Sequence, residues 1–513
     1  NDDADYAVNT ESAKYGFPGL IIEHAFVSNA SDANNYLNSD DKLKRLGIAD
    51  ATGIANYYGL SKENYVSVPE GTYEISTAVN ESKVITANSS EMSNGIDISI
   101  AGSGNSSLQR FELISLGDGY YKIASEISGL VLDVDNGSAA VRTAVRLFKW
   151  NNTNAQKWQF VDAGNGYYYI RSAVGTYLNL QDGNASDGNG IWMWTNDETN
   201  SCKWKLTTSE YRPVEDGTYT ISSLLDSSKV LEIAGGSLSN YANAQLYSHN
   251  NTSSQRFEIT YVRDGYYKIT SEKSGKALDV DNGSREPGAT VQQITWNGTN
   301  AQLWKFVDLG DGTYYIKSVL GTVLDVLNSG TADGTKVQTC SMNGSNAQKW
   351  SLTKTEYKNV EDGTYVIRAQ DKQFSVLSAE DSDIRISSFD NVKTQKFNVS
   401  YVSNGYYKII DVGTGKALDV YNASPSPGAN LQEHNWNGTS AQLWKFIDNG
   451  TGGYYLKSKC GTYVDVHNTD FTDGNNVQMY TLSGGSAQKW LLDAEWAQMN
   501  ETPVEGGTNY IHS

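Results

Sequence analysis

The chain is 513 residues long, too long for one hydrophobic core, so several domains are expected. Its net charge is −19 and no Lys/Arg-rich run interrupts the acidic background, which argues against nucleic acid as a partner and against long-range attraction to acidic lipid or anionic wall polymers. No apolar run approaches the ~18 residues needed to cross a bilayer, and the distant cysteines Cys202, Cys340 and Cys460 make neither a disulfide framework nor a metal-ligand cluster.

The first elements differ from everything after them. Phe17-Pro18-Gly19-Leu20-Ile21-Ile22-Glu23 reads as a buried strand ending in a carboxylate, and Ala25 to Asn29 as a loop. From Asp40 to Tyr58, apolar residues recur at Leu43, Leu46, Ile48, Ala49, Ile54, Ala55 and Tyr58, which predicts a helix. Together these make residues 1–62 a short α/β segment. The run from Pro18 through Glu23 to Phe26-Val27-Ser28-Asn29 resembles the C-terminal part of the zinc-dependent N-acetylmuramoyl-L-alanine amidases. That resemblance implies Glu23 as the catalytic residue, taking a proton from zinc-bound water and passing it to the leaving amine. It also implies that the zinc ligands, two His and a Glu, lie upstream of Asn1. His24 is the only histidine before the repeats and cannot make such a site alone. This chain is therefore expected to hold no metal or cofactor and to be inactive by itself, the zinc belonging to the full-length amidase. The plainer alternative is a strand-end Glu23 with a structural role.

The chain as a whole is rich in Tyr and Gly, with 33 and 48, and poor in Pro, with 7, as expected of the short strands joined by many turns that follow residue 65. One pattern dominates, Gln-x-aromatic. It starts at Gln109, Gln156, Gln255, Gln302, Gln348, Gln395, Gln442 and Gln488, with a degenerate copy at Cys202-Lys203-Trp204. The spacing is 46 or 47 residues, once 53. Gly-Thr-Tyr recurs at Gly71, Gly217 and Gly363, each 146 residues after the last, so the nine copies group in threes. The first aromatic of each triplet is Phe and the others are Trp. Each copy reads as about four short strands; the fifth has Tyr266–Thr270, Ala277–Val280, Thr290–Ile294 and Trp304–Phe306. No convincing amphipathic helix is visible past residue 65.

Gln-x-Trp in threes with Leu-Asp-Val upstream resembles the ricin B-type lectin family. The resemblance implies a mainly β chain of three tandem β-trefoils, at 69–210, 215–355 and 361–492. Short linkers such as Thr208 to Glu210 favour a semi-rigid rod. Residues 493–513 read as a linker and the start of a further repeat, because Pro503-Val504-Glu505-Gly506-Gly507-Thr508 echoes Pro213 to Thr218.

Residues i and i+2 of a strand share a face, so each Gln-x-Trp indole is expected in the trefoil interior. The Gln fixes a loop or also reaches a sugar, giving Gln156, Gln302, Gln348, Gln442 and Gln488 as candidates. In the ricin family the Asp of Leu-Asp-Val binds sugar hydroxyls, which carries over to Asp133, Asp279, Asp325, Asp419 and Asp465. The next strand supplies the pocket wall: Phe148 and Trp150; Gln292 and Trp296; Gln338; Gln432 and His434; Gln478 and Tyr480. The bland alternative is a turn-capping Asp. The remaining copies look weakened: the first of trefoil one lacks an Asp in register, its third has Asn179 and Cys202, the first of trefoil two has Glu232, and the first of trefoil three has Ser375. About five pockets of nine are expected to bind.

The sequence thus points to a secreted, cell-wall-associated and monomeric protein. Its lectin modules bind polysaccharide, whether cell-wall glycan, plant polysaccharide or mucin, and target a peptidoglycan amidase, without nucleic-acid or membrane partners. Competing readings are a pure lectin or adhesin, a structural spacer, and a glycosidase with paired carboxylates, for which no copy offers a distinctive acidic pair.

Overall fold

The computed structural model describes residues 30–57, 64–104, 106–208, 211–355 and 358–499. Glu23, His24 and the rest of the amidase-like segment lie outside the described residues, as do 503–508. Of the N-terminal part, two short helical turns, Ala30–Asp32 and Ala33–Leu37, precede a helix at Asp40–Tyr57, as the apolar spacing predicts. Ser39 opens that helix, its hydroxyl accepting from the Lys42 amide, and Asp40 and Asp41 complement the helix dipole in the first turn.

The rest is β-structure in three closed sheets, at 71–208, 217–354 and 363–493, built entirely of antiparallel pairs. The second and third sheets have twelve strands each, four per copy. In the second, the first strand Gly217–Ser223 pairs with the last, Lys349–Lys354, and closes a barrel. Hairpins from the three copies then meet over one end: Ala242–Ser248 pairs with both Val291–Ile294 and Thr335–Cys340, and Thr290 bridges Gln338. Three copies meeting around one axis make a β-trefoil.

Burial explains why the repeats converge. Trp158, Trp204, Trp304, Trp350, Trp444 and Trp490 are 0 % exposed, as are Phe111, Phe257 and Phe397 at the first-copy positions. A buried indole needs a partner for its N–H. Each one donates to the carbonyl of the residue just before the pocket position: Leu132, Leu178, Leu278, Leu324, Leu418 or Val464, at 2.9–3.2 Å. The same side chain thus fills the core and anchors the Leu-Asp-Val strand.

The sequence reading missed two kinds of helix. A 3-10 turn stands immediately before most Gln-x-aromatic strands, such as Asn154–Gln156. A four-residue helix, Ala494–Ala497, follows the last trefoil and is capped by the Asp493 carboxylate accepting from the Trp496 amide at 3.0 Å. Both are too short to show a helical period.

The trefoils meet through one joint used twice. At the first joint, Lys305 reaches Glu126 at 3.3 Å and the Thr72 hydroxyl at 2.8 Å, and Lys317 reaches Glu112 at 2.7 Å. At the second, Lys445 reaches Glu272 at 3.6 Å and the Thr218 hydroxyl at 2.8 Å, and Lys457 reaches Glu258 at 3.5 Å. Arg110 and Arg256 pair with the same Glu126 and Glu272 from the side. Burial alone would raise the Glu258 carboxyl, but Lys457, Lys445 and Lys268 outweigh it and hold it at about 2.

A carboxylate depressed on folding stabilises above its ordinary range and loses that contribution only as the pH falls through its folded value. The second joint is therefore expected to persist in mild acid. Small-angle X-ray scattering should give the same radius of gyration at pH 7 and pH 4, and a larger one for Lys445→Ala/Lys457→Ala at both. Expansion of the parent at pH 4 would contradict the assignment.

Candidate functional site

The Leu-Asp-Val strands run Val131–Val134, Ala277–Val280, Val323–Val326, Ala417–Val420 and Tyr463–Val466. Their flanking apolar residues point into the core, which turns the intervening Asp to the opposite face, toward the hairpin partner. Asp133, Asp279, Asp325, Asp419 and Asp465 are only 3–8 % exposed. Each stands opposite one residue of the next strand: Arg146, Gln292, Gln338, Gln432 and Gln478 in turn. The glutamine amide nitrogens donate to the Asp carboxylates at 3.4, 3.2, 2.9 and 3.1 Å. In the first trefoil Arg146 instead pairs with Asp135 at 2.5 Å.

Burial raises the carboxyls of Asp133, Asp279 and Asp465, and the neighbouring side-chain hydrogen bonds offset only part of that.

The Gln of each Gln-x-aromatic has a definite job. Gln348 accepts from the Asn343 amide at 2.8 Å and donates to the Ser341 carbonyl at 2.9 Å, which clips the loop between pocket wall and core strand. Gln156, Gln302, Gln442 and Gln488 make the same clip and, like Gln348, are 0 % exposed. Gln348 also donates to Asp325 at 3.2 Å. These glutamines hold the pocket from behind.

The wall residues separate into two groups. Phe148, Ile294, Cys340, His434 and Tyr480 end their strands beside the pocket, and Tyr480 is 43 % exposed. Trp150 and Trp296, placed by the sequence reading on the same strand face, instead lie in the following loop, because the strands stop two residues earlier. Each has a lysine over its ring, Lys122 at 5.4 Å and Lys268 at 5.5 Å, and Lys408 covers Trp436 likewise at 5.7 Å. An opening of about 670 Å³ lies at the second copy of the first trefoil and is lined by Asp133, Asn136, Arg146, Phe148, Asn151 and Asn154.

A recurrent asparagine was overlooked. Asn136, Asn282, Asn328, Asn422 and Asn468 follow the Leu-Asp-Val strands with φ of 52–55°, the left-handed turn that Asn tolerates. The signal was an Asn two residues past each Val, which turn composition alone made look ordinary. Just before it stand Asp135, Asp281 and His467, which contact Arg146, Gln292 and Gln478.

The other copies differ in geometry as well as sequence. In the third copy of trefoil one, Trp192 donates to Asn179 at 2.8 Å and stacks on Trp194 with centroids 5.5 Å apart, while Arg142 lies over both rings. Asn179 in turn donates to the Cys202 sulfur, and burial pushes that thiol up to about 11. In the first copy of trefoil two, Glu232 accepts from Gln245 at 3.1 Å and Gln255 at 2.7 Å. In the first copy of trefoil three the residue in register with the pocket Asp is Ser378, paired with Arg385, rather than Ser375, which begins the strand.

Three β-trefoils carrying a repeated carboxylate pocket define a tandem trefoil protein of lectin type. The family model for ricin-type beta-trefoil lectin domain-like proteins matches residues 64–148, 154–247, 210–294, 253–339, 300–385 and 393–480, and the chain belongs to that family. A mosquitocidal holotoxin is 21 % identical over 83 % of this chain (TM-score 0.32), and the chain covers 52 % of the toxin, about half its length. A designed three-fold symmetric protein, ThreeFoil, is 38 % identical over 27 % of this chain and all of its own (TM-score 0.27). The C-half of an earthworm R-type lectin, solved with GalNAc, is 18 % identical over 27 % of this chain and 99 % of its own (TM-score 0.22). Comparison with curated proteins returns no match.

Because the Asp279 carboxylate is disfavoured by burial, its replacement by an isosteric amide should not weaken the empty protein. Asp279→Asn is expected to raise the urea midpoint slightly at pH 7, with the gain shrinking as the parent's carboxylate protonates in acid. A midpoint lower than the parent's would show that the charge is net stabilising.

Proposed function

We propose that the chain is a multivalent carbohydrate binder with five working pockets, at Asp133, Asp279, Asp325, Asp419 and Asp465. The observation that carries this reading is the recurrence of one buried carboxylate in one register, each with an opposing polar side chain and, at Asp133, an adjacent opening. A carboxylate accepts from two sugar hydroxyls, while Phe148, His434 or Tyr480 offers a ring to the C–H face. Gln292, Gln338, Gln432 and Gln478 orient the carboxylate and reach the same ligand. Trp150 and Trp296, each already facing a lysine, stand in the loop that follows the wall strand. Single pockets of this kind are shallow, so retention comes from several binding at once to a repetitive polymer.

The natural setting we propose is a secreted, monomeric, cell-wall-associated amidase that these modules hold on peptidoglycan glycan. Glu23 would be its catalytic base and the zinc would be held by residues upstream. The amidase part of this reading rests on the sequence from Pro18 to Asn29. If the longer protein lacks a zinc-dependent peptidoglycan amidase activity, the lectin or adhesin reading replaces it.

The test is retention on insoluble peptidoglycan, mucin and plant polysaccharide, beside a variant with all five pocket Asp changed to Asn. The parent should be retained on peptidoglycan and the folded variant lost by at least about tenfold, since each pocket contributes to a shared avidity. Retention on mucin or plant polysaccharide alone would redirect the target. Equal behaviour of parent and variant would refute the pockets.

A further inference from the structure

The joint between trefoils does more than tether them. Residues 88–95 of trefoil one and 234–241 of trefoil two are equivalent loops, each eight residues between two paired strands. Met92 stands in the first where Leu238 stands in the second. Met92 packs with Met342 in one apolar cluster, and Leu238 with Leu482 in the other. A Cβ on Gly344 would lie 3.3 Å from the Met92 sulfur, and one on Gly484 would lie 2.7 Å from Leu238 Cδ1. Met342 and Gly344 belong to the loop that Gln348 clips, and Leu482 and Gly484 to the loop that Gln488 clips. Those loops join the walls of the Asp325 and Asp465 pockets to the core.

The equivalent positions that lack this contact support the same assignment. Trefoil one has no trefoil before it among the described residues, and its equivalent loop carries exposed Asn196 and Glu198 in place of the apolar residue and the glycine. Glu198 keeps the positive φ, at 60°, so the backbone shape is shared and only the contact surface differs. This is also the copy whose pocket carboxylate and glutamine are replaced by Asn179 and Cys202. In trefoil three the eight-residue loop is cut to a two-residue turn, Asp381-Ser382, both at positive φ. The charges change with it: Asn398 and Val412 stand where Glu258 and Glu272 made the joint.

We propose that loops 88–95 and 234–241 are docking arms that set the third-copy pocket of the trefoil that follows. Met92 and Leu238 are the positioning residues for the pockets at Asp325 and Asp465. The arm acts on a pocket only if that pocket binds glycan, so this inference rests on the proposed function.

The test uses the full chain with Asp133, Asp279, Asp325 and Asp419 changed to Asn, leaving only Asp465. Leu238→Ala in that chain should speed amide hydrogen exchange of residues 481–486 and weaken binding of solubilised peptidoglycan fragments by about tenfold, a loss of roughly 1.4 kcal/mol. Leu238→Met, which installs the residue of the first arm, should restore both. In a matched chain that keeps Asp419 alone, Leu238→Ala should leave binding unchanged. Unchanged exchange and binding in the Asp465 chain, or an equal loss in the Asp419 chain, would overturn the docking arm. Faster exchange with no glycan binding by the parent would overturn the glycan reading and leave the arm standing.

Discussion

The whole arrangement depends on one side-chain amide used twice. A glutamine accepts from the backbone N–H five residues before it and donates to the carbonyl seven before it, as Gln302 does with Asn297 and Thr295. Two such bonds hold a loop that no regular secondary structure would hold, and the buried site keeps water from competing for them. Two residues on, the indole enters the core and ties back to the pocket strand. Core packing, pocket shape and the joint between trefoils all meet in that one loop. Where the glutamine is replaced by Cys202, the pocket residue has changed as well and a tryptophan fills the space.

The pockets carry a cost that the core does not. A carboxylate such as Asp279 or Asp465 is kept where burial disfavours its charge, with hydrogen bonds that compensate only in part. At the joints buried charges are paired: Arg110 with Glu126, Lys305 with Glu126 and the Thr72 hydroxyl, and Lys445 with Glu272 and the Thr218 hydroxyl. That contrast separates the two roles of acidic residues here. The joint carboxylates sit against fixed cations, while the Asp279 carboxylate faces glutamine amides instead.

Much of this was legible in the chain. A fixed period of 46 or 47 residues, grouped in threes, reported the trefoils because closing three equivalent hairpins on one axis demands equal repeats. Leu-Asp-Val marked five buried carboxylates in one register because its two core-facing neighbours turn the middle residue to the other face of the strand. Trp150 and Trp296 were misplaced because alternation carries no mark of where a strand stops. Ser378 was missed for Ser375 because a shortened hairpin shifts the register. The joint was invisible: Lys305 and Glu126 lie far apart in sequence and in different trefoils, and neither belongs to a motif. The shortening of trefoil three gains its meaning only from what the equivalent loops of trefoils one and two touch.

The way each barrel closes bears on how the chain is made. Tyr219 pairs with Lys354, so the second trefoil has no complete core until nearly its whole length exists, and the same holds for the others. Yet each trefoil finishes before the next begins, and the docking loops of the first two lie in their own first thirds. During synthesis from the N-terminus, every new trefoil therefore closes against a finished template. The array assembles in one direction, each trefoil added to the one before it, rather than as three bodies that must find one another afterwards.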